Sequence, residues 1–512
     1  MTIRVACIGG GPGGLFFCTL LKRARPDIEV VLLERNQPTD AFGFGVVFSD
    51  RTLEKINAAD PVLRDALARE GVHWDSLAVS VRGETASFAG NGMAAVHRRI
   101  LLRELQGAAV GAGVDLRFGT EFVELADLAD FDVVVGADGT NSRVRAELEP
   151  ALGSTVETAV AKFIWFATTH IFDGLTFLHR PSDFGNFAAH AYPIGQGLST
   201  FIVETDEETW KAAGLDAFDV TAPPGPSDQL SQDFLRELFA EDIQGAELVA
   251  NNSRWGNFRT RRTPRWHEGN TVLLGDAVHT AHFSVGSGTK MAMEDAIVLA
   301  REIAASDDDL EQAFARYEAE RQPQVAKIQD AAGPSLSWWE NFGFYVDHLE
   351  PLDFAFHFFS RSIDIERIRR RDGGLAARVD EHWVDRHGAA PIASALEVRN
   401  GTFHGRHLTL ADGALSDGEG STLAADRIEV LAAPDDERSA LEVIPTDGAA
   451  EAVLVTGGSP LTRSLVAERA RLAFDRVAII LDDDLGDSEI ETLILSGRAD
   501  AVASRMREHV GV

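Results

Sequence analysis

Two glycine-rich stretches hold the residues with the clearest chemical capacity. In "IGGGPGGL", near the amino terminus, Gly9, Gly11 and Gly14 keep the G-x-G-x-x-G spacing. Such glycines permit a tight turn and let backbone N–H groups approach a pyrophosphate at the positive end of a helix. Glu34, followed by Arg35, closes the next apolar run 20 residues after Gly14. A carboxylate there can accept hydrogen bonds from an adenosine ribose. The second stretch, "GDAVHTAHFSVGSGTKMAMEDA", places Asp276 at a strand end and Gly286, Ser287 and Gly288 at a helix start. An aspartate so placed can bind a polyol chain such as ribityl. The free N–H groups of the helix would stabilise negative charge on a ligand by about 0.3 to 2 kcal/mol.

The first motif by itself does not separate FAD from NAD. The second favours FAD, because a reduced flavin carries negative charge across N1 and the C2 carbonyl, whereas nicotinamide has no such need. One FAD lying across both loops, adenosine at the first and isoalloxazine at the second, accounts for their separation in sequence.

These loops need elements to hold them. The run "TIRVACIGG", an apolar helix from Gly14 to about Arg25 and the strand "EVVLLER" form one βαβ unit. "FDVVVGADG" and "NTVLLGDA" are continuous apolar runs, as buried parallel strands read. Between them the pattern alternates, in "FIWFATTHIF", "NFAAHAYPI" and "LSTFIVET", which predicts an antiparallel sheet. The expected fold is α/β: a Rossmann-like FAD-binding domain in two parts, 1–154 and 263–390, with an antiparallel β-sheet substrate domain inserted at 155–262. Beyond roughly Pro391 the composition shifts toward Ala, Asp and Gly, and a small α/β domain is expected over 391–512.

At 512 residues the chain exceeds what one core organises, and 45% hydrophobic residues supply several. A net charge of -32, from 80 acidic against 48 basic residues, repels polyanions and argues against nucleic acid or acidic membranes as partners. Cys7 and Cys18 cannot form a disulfide framework and lack metal-knuckle spacing, so buried packing is expected for both and no metal. The first strand begins at once, without a secretory leader, and no stretch approaches the roughly 20 apolar residues of a membrane span. A cytoplasmic location is expected, with a homodimer as a candidate assembly.

Together, "GGGPGG", "ER", "GADGTNSRVR" and "GDAVHTAHFSVGSGTKMAMEDA" resemble the single-component FAD aromatic monooxygenases, the para-hydroxybenzoate hydroxylase group. Within that group the likeness is nearest to the monooxygenase part of the aryl-CoA hydroxylases that act on salicylyl-CoA and 2-aminobenzoyl-CoA. It is carried by "FGFGVVFSDRTLEKI", "KFIWFATTHIFDGLTF", "STFIVETDEETWKAAGLD" and "SWWENFGFYVDHLEP", and extends from Met1 to about Trp383. The resemblance implies that Arg98 reaches the pyrophosphate or ribityl, that Asp138 lies near the pyrophosphate and the pyridine nucleotide's path, and that Asp276 binds ribityl. Phe283 and Lys290 depart from the broad family and agree with the aryl-CoA subgroup. The tail resembles the last repeats of an old-yellow-enzyme barrel, but about 120 residues follow Pro391 and a closed barrel needs roughly 200. A shortened remnant without a working FMN site is expected.

The implied reaction uses NADH or NADPH to reduce FAD. O2 then adds at C4a, and the distal oxygen of the hydroperoxide attacks an activated ring. The protein must exclude water, orient the ring and polarise its substituent. Candidate catalytic groups are His282, before the flavin-facing helix, and His190 on an inserted strand. Tyr192 shares the face of His190 by alternation, and Phe48, Phe283 and Tyr192 are candidate ring contacts. His279 is expected to anchor backbone, and Trp338 and Trp339 to pack in a core. A CoA thioester would need cations for its phosphates. Arg259, Arg261, Arg262 and Arg265 form one cluster, and Arg367, Arg369, Arg370 and Arg371 a second. Two other readings stay open: a flavin hydroxylase of a free or carrier-tethered aromatic in secondary metabolism, and a non-catalytic flavoprotein subunit.

Overall fold

The computed structural model describes residues 3–219, 225–282, 286, 288–306 and 309–506. Two compact units form: Met1–Ala78 with Asn91–Glu340, and Val79–Gly90 with Asn341–Val512.

In the first unit the four apolar runs lie in one six-stranded sheet. Its order is His267–Glu268, Thr271–Leu273, Val133–Gly136, Arg4–Ile8, Glu29–Glu34, Asp115–Phe118. All neighbours are parallel except the His267–Glu268 edge. Both faces are covered, which is why the runs are apolar without alternation. Val5, Cys7, Leu32, Val133, Val135 and Val272 are fully buried, as is Cys18 on the helix Pro12–Ala24, and both cysteines are free thiols. Gly13 lets that helix meet Gly288–Ala304 closely: a Cβ there would stand 3.0 Å from Ala292 Cβ.

The inserted segment forms an antiparallel sheet ordered Leu248–Ala250, Thr155–Thr168, Leu198–Thr205, Gly185–Gly195, Leu175–Ser182, with Gly256–Arg262 also pairing Thr155–Thr168. Gly195, Gln196 and Gly197 all adopt positive φ, making the tight turn between the two central strands. One sheet face, with Ile164, Phe166, Phe187, Ala189, Phe201 and Val203, packs beneath Leu235 of the helix Gln229–Leu238. The opposite face turns toward the nucleotide domain. A small sheet of Gly45–Ser49, Met93–His97 and Val72–Trp74, which the sequence reading did not anticipate, lies beside it.

A buried ionic cluster ties the second glycine loop to its helix. Asp295, fully buried in Gly288–Ala304, accepts from Gly275 N at 3.0 Å, from Arg321 Nε at 2.8 Å, and pairs with His279 Nε2 at 2.7 Å. Glu294 adds a contact to Arg321 at 3.3 Å. Burial alone would raise the Asp295 pKa, but the charges and hydrogen bonds of His279 and Arg321 outweigh it and hold the carboxyl below its ordinary value. His279 is thus an anchor, through a side chain rather than the backbone.

The second unit holds an open seven-stranded sheet: Thr422–Leu423, Ala414–Ser416, His407–Ala411, Ala501–Arg505, Val477–Leu481, Ala452–Gly457, Ile428–Ala433. The last five are mutually parallel, with helices Pro460–Phe474 and Asp487–Leu495 in the crossovers. This is a βα succession that does not close into a barrel. The composition change near Pro391 falls inside this unit, which also contains helices Pro351–Phe359, Ile365–Arg371 and Gly373–His387. Phe88 packs on Phe359 with ring centroids 5.3 Å apart, and Ala89 N donates to Asp372 at 2.8 Å, which joins Val79–Gly90 to this unit.

Replacing Asp295 by Ala leaves buried Arg321 with Gln324 and the 3.3 Å contact to Glu294, and is expected to cost about 3–5 kcal/mol, read as a lower urea midpoint. Because the folded pKa is depressed, the carboxylate's contribution is complete above its unfolded value near 3.8 and is lost as pH falls through the folded one. Acid unfolding of the Ala variant should therefore lack that component.

Candidate active site

The glycine turn after Arg4–Ile8 divides its labour among three residues. Gly9 has φ +112°, and a Cβ on it would stand 2.3 Å from Ala137 O. A Cβ on Gly14 would come within 2.2 Å of Gly9 O, so both positions exclude side chains for packing. Gly11 differs: a Cβ there would meet nothing within 4 Å. It borders open space at the start of the helix Pro12–Ala24, where a phosphate can sit. Glu34 Oε2 accepts from Gly10 N at 2.6 Å, and Oε1 accepts from Asn36 N and Nδ2 at 2.8 and 2.6 Å. The carboxylate therefore braces the turn. Arg35 is exposed at the strand end.

Asp138 braces the start of the helix Arg143–Leu152, which Ser142 caps: its Oδ2 accepts from Arg143 N at 2.7 Å, while Oδ1 is buried without a hydrogen-bond partner. Arg98 opens the helix Arg98–Ala112 and donates through its backbone N to Phe44 O at 2.7 Å. Its guanidinium lies among protein atoms, and burial lowers its pKa against the opposing pull of Asp276 and Tyr192. Its Nε is a buried donor without a partner. Asp276 lies in the turn Gly275–Ala277 and is exposed to solvent, yet dense protein around it raises its pKa against His279 and Arg98. Such a carboxylate lines an internal space. Gly288 begins the next helix, its Cβ position 3.9 Å from Asp276 Oδ1. Gly286 has φ +59° and approaches Val47. Ser287 and Phe283 lie outside the described residues.

These residues fit FAD. Open space at the first turn, an unpartnered donor on Arg98, an unpartnered acceptor on Asp138 and the enclosed Asp276 are the polar complements a dinucleotide with a ribityl chain requires.

Phe48 requires a correction. It is 1% exposed and belongs to the core of the nucleotide domain. Alternation along Gly45–Ser49 gives the site-facing positions to Gly45 and Val47 instead. A Cβ on Gly45 would lie 2.5 Å from Thr200 Oγ1, so glycine there lets this strand lie against the inserted sheet. Tyr192 is buried, its hydroxyl 3.5 Å from Gly45 O and its ring 6.2 Å from Trp74. Burial pushes its pKa up to about 12, while Thr200 and Arg98 pull the other way.

The strand register shows which side chains share the inner face: Leu175, Phe177 and His179; Ala188, His190 and Tyr192; Thr200, Ile202 and Glu204; Phe163, Trp165 and Ala167. None of these twelve is Lys or Arg. His190 Nε2 lies 2.5 Å from Glu204 Oε1, and His282 Nε2 lies 3.9 Å from Glu204 Oε2, all three side chains buried. The two candidate histidines are thus brought together by a carboxylate that the sequence reading passed over. An acidic residue alternating with Thr200 and Ile202 in an apolar strand, diagonal to His190, was the available signal. Trp339 sits over His190 at 4.1 Å and both Trp338 and Trp339 are buried.

The first arginine cluster is divided. Arg262 binds Gln329 at 3.0 Å and Asp330 at 3.2 Å, and Arg265 pairs with Glu268. Arg261 is buried, with its Nε unpartnered and its pKa lowered by burial and then by Arg259, against Glu149. Arg259 is exposed on the same strand face. In the second cluster Arg369 is held by Glu491 at 2.6 Å and Asp380 at 3.2 Å.

Comparison with known proteins agrees with this architecture. A family profile described as FAD binding domain matches residues 2–332. The chain is 51% identical over 517 residues to the salicyloyl-CoA 5-hydroxylase of a Streptomyces species, covering 98% of this chain and 99% of that protein. It is 35% identical to the 3-hydroxy-4-methyl-anthranilyl-(aryl-carrier protein) 5-monooxygenase of Streptosporangium sibiricum, covering 66% of this chain and 89% of that one. Among solved structures, PqsL of P. aeruginosa with 2-aminobenzoylacetate shares the fold at TM-score 0.53 and 24% identity, over 67% of this chain and 97% of that chain. With the profile spanning well over half its length and one relative matched nearly end to end, the chain belongs to the FAD-binding family of aromatic monooxygenases, NAD(P)H-dependent flavoprotein hydroxylases.

Proposed function

We propose that this chain hydroxylates the ring of an aryl-CoA thioester, with salicyloyl-CoA the first substrate to test and 2-aminobenzoyl-CoA the second. The observation that carries this reading is the 51% identity to a salicyloyl-CoA 5-hydroxylase over nearly both full lengths. The inner sheet face supports it. A free aromatic acid brings a carboxylate that wants a cation, whereas these twelve positions offer Glu204 and no Lys or Arg. A thioester is neutral at that position and meets no such conflict.

FAD, when bound, supplies the passage of two electrons from NAD(P)H to O2. The protein's part is placement. Gly11 and the following helix receive the pyrophosphate, Asp276 holds the ribityl hydroxyls, and Arg98 donates to the same region. Asp138 offers its unpartnered oxygen near the first turn. The helix that begins at Gly288 lowers the energy of negative charge on the ring. Tyr192, Thr200, Ile202 and Val47 exclude water, and His282 and His190 take and hold the proton released by the substrate's hydroxyl or amino group. Arg259 and Arg261 are left to meet the phosphates of the thioester tail, since Arg262 is engaged elsewhere.

A carrier-tethered aromatic is the second reading, favoured by the 35% identity to a monooxygenase of an aryl-carrier-protein substrate. Aerobic turnover of salicyloyl-CoA, 2-aminobenzoyl-CoA, the free acids and a carrier-bound salicyl group separates the readings. The CoA thioester should accelerate NAD(P)H consumption most and gain one oxygen by mass. The proposal fails if a free acid or the carrier-bound group is preferred.

Two substitutions test the placements. Gly14→Ala forces a methyl group into Gly9 O, an overpacking worth about 1–3 kcal/mol, so FAD affinity should fall about 5- to 150-fold and the purified protein should carry less FAD, read from its absorbance. Arg259→Ala should raise KM for the CoA thioester while leaving KM for the corresponding N-acetylcysteamine thioester, which lacks phosphates, unchanged.

A further inference from the structure

We infer that Glu204 is the positioning and proton-holding residue of the hydroxylation site, a single carboxylate bridging His282 on the flavin side to His190 on the inserted sheet. The inference rests on the aromatic-hydroxylase reading and adds a residue to it.

The argument begins with cost. A carboxylate on an apolar sheet face, fully enclosed, is expensive unless paired. Glu204 is 1% exposed, and its immediate strand partners Phe163 and Ala188 offer it nothing polar. Its two oxygens face two imidazoles carried by different elements, His190 Nε2 at 2.5 Å and His282 Nε2 at 3.9 Å. Both rings are held in place. His190 lies under Trp339 at 4.1 Å and edge-on to Phe177 at 5.1 Å, and His282 is edge-on to Phe258 at 4.9 Å. Trp339 also stacks on His179 at 6.0 Å, so this aromatic wall is continuous.

Position completes the argument. Tyr192, two residues along the strand from His190, faces Arg98, which in turn faces Asp276. Two residues of strand are about 6.6 Å, which is the step along the sheet from Tyr192 to His190. His282 is four positions ahead of Gly286.

The chemistry follows from this arrangement. A ring bearing a hydroxyl becomes nucleophilic as its O–H proton leaves and the oxygen lone pair enters the ring. His282 accepts that proton, and the imidazolium so formed is neutralised by ionised Glu204. As the new C–O bond forms, the O–O bond of the oxygen donor that FAD and O2 would supply breaks and its electron pair stays with the departing oxygen; the ring C–H proton then leaves to that oxygen, and His282 returns the first proton to the substrate oxygen. No net proton is consumed by the cluster. His190 Nε2, 2.5 Å from the other oxygen, offers an exit through the carboxylate.

Among the described residues, the titratable groups facing Glu204 are His190, His282 and Glu340, the last held by Val160 N at 2.7 Å. Burial raises the Glu204 carboxyl to about 7 against the pull of His282. Below that pH the neutral acid cannot balance an imidazolium, so kcat should rise with pH through about 7.

The test uses the FAD-loaded full chain with Glu204→Gln and Glu204→Asp. For Gln, kcat should fall about a hundredfold at pH 8. The limb near pH 7 should vanish, with KM within about threefold of the parent. Asp should restore part of kcat and a shifted limb. Independently of any substrate, infrared difference spectra of the parent should show a carboxyl band titrating near pH 7 that the Gln variant lacks. Bound-FAD absorption identifies folded variants. An unchanged kcat and pH profile in Gln, or the same infrared band in both proteins, overturns the inference. Failure of every thioester to turn over would instead strike the proposed substrate class, and the infrared titration would still decide the role of Glu204.

Discussion

Asp295 is the buried charge on which the geometry of the second glycine loop depends. It has no exposed surface, and three donors from three places in the chain converge on it: the Gly275 amide, the His279 imidazole and the Arg321 guanidinium. Removing a carboxylate from water is costly, and only full pairing compensates for it. The cluster therefore has one satisfactory arrangement. That arrangement fixes the turn Gly275–Ala277 against the helix Gly288–Ala304, and with it the distance between Asp276 and Gly288. The placement of Asp276 against Gly288 is inherited from this ionic lock.

The inserted sheet serves through its two unlike faces. One is a hydrophobic core made by Ile164, Phe166, Phe201 and Val203. The other carries Tyr192, His190, Thr200 and Glu204 among aromatic residues. Period-two alternation allows a single strand to supply structure and chemistry at once, and a slip of one residue would exchange them. Gly45 is the matching concession on the nucleotide side, since any side chain there would collide with Thr200.

The second unit has its own polar core. Glu468 is buried with Tyr345 at 2.6 Å, His357 at 3.2 Å and Arg498 at 3.3 Å around it. This unit is shared with the Streptomyces hydroxylase, because that alignment runs over 98% of the chain. Its open parallel sheet has the strand-by-strand order of a barrel segment without the closure.

Much of this was written in local pattern. Continuous apolar runs announced the parallel strands, alternation announced the inserted sheet, and the glycine spacing with Glu34 announced the dinucleotide turn, because each depends on neighbours within one element. The spacing of Gly9, Gly11 and Gly14 and the strand-end place of Asp276 were legible for the same reason, whereas Arg98 was named only through the family resemblance. What remained hidden depends on approach between elements distant in sequence. Phe48 and Val47 are adjacent, and only the packing of their strand decides which one faces the site. Glu204 reads as one acidic residue in an acid-rich chain until the register brings it to His190 and the loop brings His282. Four arginines in a row look alike, yet Asp330, Glu268 and Gln329 occupy two of them and burial isolates a third. The sequence by itself determined the elements, their order and the redox molecule they suit, since periodicity and turn chemistry are local. Only the tertiary structure decided which charges meet, because pairing energies fall off over a few ångströms and those distances are set by packing alone.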